Sequence, residues 1–254
     1  MSESKVQSVR VAMLVQGYGF VLNRMLNHLK SRITMTQTEN TILQPIRSEA
    51  SRKHYRSYID IGAADGDTFI PLARLFDTCV AIEPFPPSAN KLRGVVNSSG
   101  MNNCYVFECA LSQAEGEATL FTDFGNDNSI LRNGNLRKGP KVRVLTLDRV
   151  VRDYKLAEPY LIKIDVQGSE FAVVKGGLDT LKRECAIFSE FWPWGMTQSG
   201  YSLSEYLEFF ESLGYTLCNL KGEVIVKEKV SKLLRLCEGN KTFTDLLFLK
   251  HISG

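Results

Sequence analysis

Two stretches of this 254-residue chain combine residue types and spacings that could do chemistry. The first is DIGAADG, residues 60–66. A glycine at a strand end lets backbone approach a ligand that a Cβ would push away. A dinucleotide fingerprint starting at Gly62 would need small residues at 62, 64 and 67. Ala64 meets that need and Asp67 does not, because its side chain cannot give the close helix–strand packing of that pattern. An acid there also sits poorly beside a pyrophosphate. It suits a ligand with an ammonium group and no phosphate, and S-adenosylmethionine, with its α-amino group and sulfonium, is such a ligand. Glu83 follows 21 positions after Gly62, at the end of an apolar run. Its two oxygens can accept hydrogen bonds from both ribose hydroxyls. NAD enzymes use the same position, so Glu83 marks an adenosine-type ligand without naming it.

The second stretch is LIKIDVQGSE, residues 161–170. Side chains alternate along a strand, so Lys163 and Asp165 share one face, opposite Ile162 and Ile164. Asp165 falls at the carboxyl end, where it could be a general base, an anchor for an acceptor hydroxyl or a metal ligand. Glu190 ends the next apolar run and is the second candidate base. Lys163 lies deeper, either in an ion pair with Asp165 or another acid or in contact with the acceptor. Two carboxylates on neighbouring strand ends could hold Mg²⁺. No dedicated metal cluster is visible, and His28, His54 and His251 are scattered, so no metal ligand is predicted. Trp192 and Trp194 offer aromatic faces to a sugar ring or an acyl group, or else cap the core. Ser129 sits with Asn126, Asn128, Arg132, Asn133 and Arg137 in the polar stretch 125–139, a candidate lid or acceptor clamp.

These residues need a sheet to hold them. Strands are expected at Tyr58–Gly62, Cys79–Glu83, Cys104–Leu111, Tyr160–Val166, Cys185–Phe191, Tyr215–Leu220 and Leu246–Leu249, with Val224–Val226 between the last two. Helices are expected at Thr68–Phe76, Ser88–Val96, Ser169–Arg183 and Leu203–Leu213. A β-rich insertion over about 112–147 carries strands at Ala118–Phe121 and Val142–Leu147. Such alternation predicts an α/β protein with a mainly parallel sheet and helices on both faces. Ligands bind outside the carboxyl ends of such strands, near the switch in strand order. Residues 1–57 read as an N-terminal helical extension ahead of a main domain over 58–254.

The bulk numbers narrow the partners. Net charge is +3 from 31 basic and 28 acidic residues, interleaved along the chain, which argues against nucleic acid. The six cysteines form no CxxC pair and read as small buried apolar residues in a reducing, cytoplasmic setting. The apolar run Val11–Leu22 is too short to span a bilayer, which needs about 20 residues. It predicts a cover helix packed on the domain or on a second copy, hence a homodimer, with membrane contact only peripheral.

The chain resembles the FkbM family of methyltransferases from about Tyr58 to Tyr215. The blocks that carry the resemblance are YIDIGAADGDT, AIEPFPPSANKL, CALSQAEGEATL, KVRVLTLDRV and, above all, LIKIDVQGSEFAVVKGG followed by FSEF. Membership implies a Rossmann-like class I methyltransferase fold with a seven-stranded sheet, S-adenosylmethionine as donor, and usually a hydroxyl oxygen of a sugar, glycolipid or polyketide as acceptor. Carried over by position, Asp60, Gly62 and Gly66 would hold the methionine part of the donor and Glu83 the ribose. Ala110 and Leu111 would flank the adenine. The family commonly has asparagine where Ala64 stands, so a side-chain contact there is lost or replaced by Asp65. The third strand also lacks the terminal Asp of many class I enzymes. Two other readings stand beside this one: an NAD-dependent oxidoreductase of the same fold class, and a non-catalytic binding module that assembles through its N-terminal helices.

Overall fold

Runs such as SYIDI, TCVAI and YLIKI are rich in β-branched and aromatic residues, which favour extended backbone, and each becomes a strand. The computed structural model describes residues 42–122, 128–130, 137–226, 230 and 243–250. The chain divides into two compact units, Met1–Gln44 and Pro45–Gly254, and every described strand belongs to the second. Most of the expected N-terminal extension, residues 1–41, lies outside the described residues, as do Asn126, Arg132, Asn133, His28, His251 and Cys237. A helix over residues 42–52 (α1) leads in.

The main elements then come in the order β1 Ser57–Ile61, α2 Phe69–Leu72, β2 Thr78–Ile82, α3 Pro86–Ser98 and β3 Cys104–Phe107. The insertion supplies β4 Ala110–Leu111, β5 Gly116–Thr122 and β6 Arg137–Leu145. After it come α4 Leu147–Asp153, β7 Tyr160–Ile164, α5 Glu170–Lys175, α6 Leu178–Leu181 and β8 Cys185–Phe191. The chain closes with α7 Pro193–Gln198, α8 Leu203–Ser212, β9 Thr216–Cys218 and β10 Thr244–Leu249.

Seven strands form one sheet in the order β3-β2-β1-β7-β8-β10-β9. All neighbours are parallel except β10, which runs antiparallel to both β8 and β9. This is the expected class I methyltransferase fold. Every residue of β1, β7 and β8 is buried. Because successive side chains point to opposite faces, both faces of these strands are covered. On one face Ile59, Ile61, Ile162 and Ile164 pack with Phe171, Tyr206 and Phe210. On the other, Tyr58 stacks on Phe69 and Phe76. The five described cysteines are free and buried.

The structure departs from the sequence reading in three places. The expected third strand over 104–111 is split: Cys104–Phe107 stays in the main sheet, while Ala110–Leu111 joins a second sheet of order β4-β6-β5. The expected helix over 169–183 breaks at Gly176 and Gly177. Asp148 of α4 caps the new start by accepting the N–H groups of Asp179 and Thr180 at 3.0 and 2.7 Å. Val224–Val226 forms no strand, only a bridge from Val224 to Cys218. Among the described residues no helix is long and apolar enough to cross a membrane.

Candidate active site

Strand order reverses between β1 and β7, and the chemistry-bearing residues gather at the carboxyl ends of those two strands. Gly62 has φ +81, and a Cβ on it would lie 1.8 Å from the carbonyl oxygen of Asp165. The amide of Asp165 in turn donates to the carbonyl of Ile61 at 2.9 Å. Glycine is needed here for the approach of one strand end to the other, a different reason from ligand access. Gly66 closes the turn with its N–H on the Ala63 carbonyl at 2.9 Å, and seats it on Leu92 of α3. Asp67 is exposed.

Glu83 is buried and grips this turn. Its Oε2 accepts the N–H of Ala64 and its Oε1 the N–H of Phe85, both at 2.8 Å. Burial pushes its carboxyl above the usual range, against the pull of those two N–H groups. Each carboxylate oxygen has a second lone pair, so both can still accept a hydroxyl. Ala64 is held at φ +47, a left-handed conformation that favours asparagine among the non-glycine residues. Asp65 pairs with Lys91 of α3 at 2.5 Å. Its carboxyl is lowered because the Lys91 and Ser88 contacts outweigh burial. Ala110 packs in a small cluster with Phe85, and Leu111 belongs to the main core.

Next to the turn lies a row of charges set by strand register. Asp60 pairs with Lys163 across β1 and β7, and Asp245 with Glu190 across β10 and β8. Lys163 Nζ stands 3.3 Å from Asp60 Oδ1 and 3.4 Å from Asp165 Oδ2. Burial opposes its charge, but Asp60 and Asp165 outweigh burial and hold it above the ordinary lysine range. Lys163 is therefore engaged as an ion-pair partner. Asp60 has no exposed surface and also accepts from Tyr58 Oη at 3.0 Å. Its influence on a ligand would run through these two partners and not through direct contact. Glu190 is pushed well above the carboxylate range by burial and by the charges of Asp165, Glu170 and Asp245. The shift favours its protonated form, which can donate a hydrogen bond. Asp245 is pushed up to about 7 by burial and by Asp165. Asp165 is a third exposed and sits directly beside the lysine charge.

Beyond Asp165 the chain turns sharply through Gln167 (φ +55) and Gly168 (φ +93). Glu170 Oε1 accepts the N–H groups of Val166 and Gly168, both at 3.1 Å, and so clips the turn. A Cβ on Gly168 would strike the backbone of Gly195, and one on Gly195 would strike the Trp192 ring. The indole therefore reaches the turn through two glycines, and Trp194 lies 5.3 Å from it, centroid to centroid. Ser129 is buried and meets Ser169 at 3.1 Å, which places the Ser129 hydroxyl against the same turn. Four predicted residues, Asp165, Glu190, Ser129 and Trp192, are thus brought together around residues 165–170. Gln167, Asp245 and Tyr58 were missed. A polar residue inside the apolar closing strand TDLLFL was the available signal for Asp245. Among the described residues no group of three or more His, Cys, Asp or Glu is placed to hold a metal ion.

Glu170 gives a stability test. Its carboxyl is fully enclosed, and burial pushes it from 4.5 up to about 7. The folded state then binds the proton more tightly than the unfolded chain. The stability this contributes is complete below pH 4.5 and lost as pH rises through about 7. Glu170→Gln keeps the acceptor for both N–H groups and removes the titration. Urea unfolding should show wild type losing about 3 kcal/mol more than the variant between pH 4.5 and 8. Parallel pH profiles would mean the enclosed acid does not titrate in this window.

The methyltransferase FkbM domain matches residues 60–217 of this chain. Among solved structures, the chain is similar to methyltransferase FkbM from Methylobacillus flagellatus KT, with 16% identity, 76% of this chain and 43% of that one covered, and a TM-score of 0.48. It thus spans less than half the length of that protein. The precorrin-6Y C5,15-methyltransferase from Geobacter metallireducens GS-15 aligns at 16% identity over 84% of this chain and 88% of its own, TM-score 0.42. A TehB-like SAM-dependent methyltransferase from Corynebacterium glutamicum aligns at 12% over 83% and 87%, TM-score 0.41. No curated protein matches the chain.

Proposed function

We infer the reaction from one premise: the chain belongs to the FkbM methyltransferase family. The reading it supports is transfer of a methyl group from S-adenosylmethionine to a hydroxyl of a sugar, glycolipid or polyketide-type acceptor. The observation that carries it is the direct contact between the glycine turn and Asp165, where Gly62 has no room for a Cβ beside the Asp165 carbonyl. A donor held on that turn delivers its reactive end next to Asp165.

The residues fit such a donor. Glu83 keeps lone pairs on both oxygens for the ribose, Ala110 and Phe85 give an apolar neighbour for the adenine, and the carboxylate row suits a cationic sulfonium. When bound, S-adenosylmethionine would supply an electrophilic methyl group to the acceptor oxygen, with the carbon–sulfur electron pair left on sulfur. Asp165 takes the hydroxyl proton as the new carbon–oxygen bond forms. Lys163 lies against the Asp165 carboxylate at 3.4 Å, and Asp60 with Tyr58 holds Lys163 in place. Glu190, whose protonated form is favoured by burial and its acidic neighbours, orients the acceptor. Trp192 and Ser129 border the acceptor side. Most of the acceleration comes from holding oxygen and methyl in line and excluding water.

S-adenosylhomocysteine should raise the melting temperature while NAD leaves it unchanged. Label from methyl-labelled donor should appear on hydroxyls in a panel of sugars, glycolipids and polyketides, assayed with and without Mg²⁺. Absence of S-adenosylhomocysteine binding at any concentration would sink the reading.

A further inference from the structure

The Gln167 side chain touches both carboxylates at the acceptor end. Its Nε2 lies 2.9 Å from Asp165 Oδ1 and 3.3 Å from Glu190 Oε2. An amide nitrogen has two protons for two such acceptors, whereas an amide oxygen would face two lone-pair-bearing atoms, so the chemistry fixes the orientation of the group. The backbone at Gln167 is left-handed, at φ +55, a conformation that costs a non-glycine residue of order 1–3 kcal/mol. That conformation is enforced. The two hydrogen bonds from Val166 and Gly168 to Glu170 bracket residue 167, and Gly168 is seated on Gly195 with no space for a side chain. A strained, doubly clipped turn that aims one amide at two carboxylates on different strands calls for a role at those carboxylates.

We propose that Gln167 is a positioning residue: its amide bridges Asp165 and Glu190, fixes their separation, and so presents Asp165 to the acceptor hydroxyl. This rests on the methyl-transfer reading above and deepens it. The groups facing the pair are Lys163 on β7 itself, Asp60 from β1, Asp245 from β10 and Glu170 from α5. Only one of these is a cation. Removing the amide donor leaves two acids close together with less to stabilise negative charge, so the pair should hold its protons to higher pH.

Gln167→Gly retains the left-handed backbone without strain and deletes only the side chain. Gln167→Glu keeps the shape and adds a third acid. The acidic limb of the kcat profile should move up by roughly one pH unit in Gln167→Gly and further in Gln167→Glu. The KM for S-adenosylmethionine should stay near the wild-type value. A merely structural role would lower kcat with the limb unmoved, and that result overturns the proposal. A second readout needs no turnover: carboxyl carbon-13 titration of labelled protein, assigned with Asp165→Asn and Glu190→Gln. The pair should titrate higher in Gln167→Gly than in wild type, and identical titrations overturn the proposal. If wild type transfers no methyl group at all, the functional reading fails while the titration still decides the role of Gln167.

Discussion

Asp165→Asn should slow methyl transfer by roughly 10²–10⁴-fold, the range associated with loss of a positioned general base. Affinity for S-adenosylhomocysteine should stay close to wild type. Asparagine keeps the size of the side chain and an oxygen that can still accept from Gln167, so the turn loses little of its geometry. What disappears is the group that takes the proton. Glu190→Gln gives the contrast. Burial and three neighbouring acids favour the protonated form of Glu190, which an amide imitates, so most activity should survive. Full activity in Asp165→Asn, measured with saturating labelled donor, would remove Asp165 from the mechanism. Near-complete loss in Glu190→Gln with Asp165→Asn active would exchange the two roles.

Gly62→Ala should be the most damaging single methyl group in the domain. The new Cβ would stand 1.8 Å from the Asp165 carbonyl oxygen and 2.9 Å from its carbon, and both are backbone atoms. Neither can swing aside as a side-chain tip would. The left-handed φ adds roughly 1–2 kcal/mol of its own. The ends of β1 and β7 must therefore separate, which pulls the donor turn from the base. We expect a sharply lower melting temperature and no measurable S-adenosylhomocysteine binding in whatever folds. Gly94→Ala is the control. Gly94 lies inside α3 with open space where its Cβ would be, and the change should stabilise the protein by about 0.5–1 kcal/mol. Equal melting temperatures for the two variants would contradict the packing at Gly62.

Much of the donor side was legible because it is local. The turn over 60–66 and the acid at 83 sit at the ends of apolar runs, and their spacing speaks without the rest of the chain. Ligand access accounts for Gly62 only in part, since its tightest neighbour lies about a hundred residues away, just past the end of β7. On the acceptor side Asp165 and Glu190 are marked by the same strand-end pattern, but the groups around them depend on lateral register. Asp245 matters because β10 pairs antiparallel with β8 and sets it opposite Glu190. Gln167 matters because its left-handed turn lets one amide reach a neighbouring strand. The unbroken helix expected over 169–183 failed for the same reason. Helical periodicity runs through Gly176 and Gly177, but the Asp148 side chain from a separate helix sets the restart. The third strand reads as continuous through Leu111, yet Ala110 and Leu111 find their partners in β6, beyond the hairpin.

The antiparallel strand β10 also dictates a schedule. Of the seven strands in the sheet it is the last to be synthesised, yet it occupies an interior position between β8 and β9. A growing chain can pair β1, β2, β3 and β7 and present the donor turn long before Thr244–Leu249 leaves the ribosome. Until that segment inserts, β8 and β9 remain exposed edges, open to wrong pairing and reliant on a late, long-range closure. Glu190 stands on one of those edges. The last strand home is also the one that sets Asp245 opposite Glu190, so the acid cluster is complete only once the sheet closes.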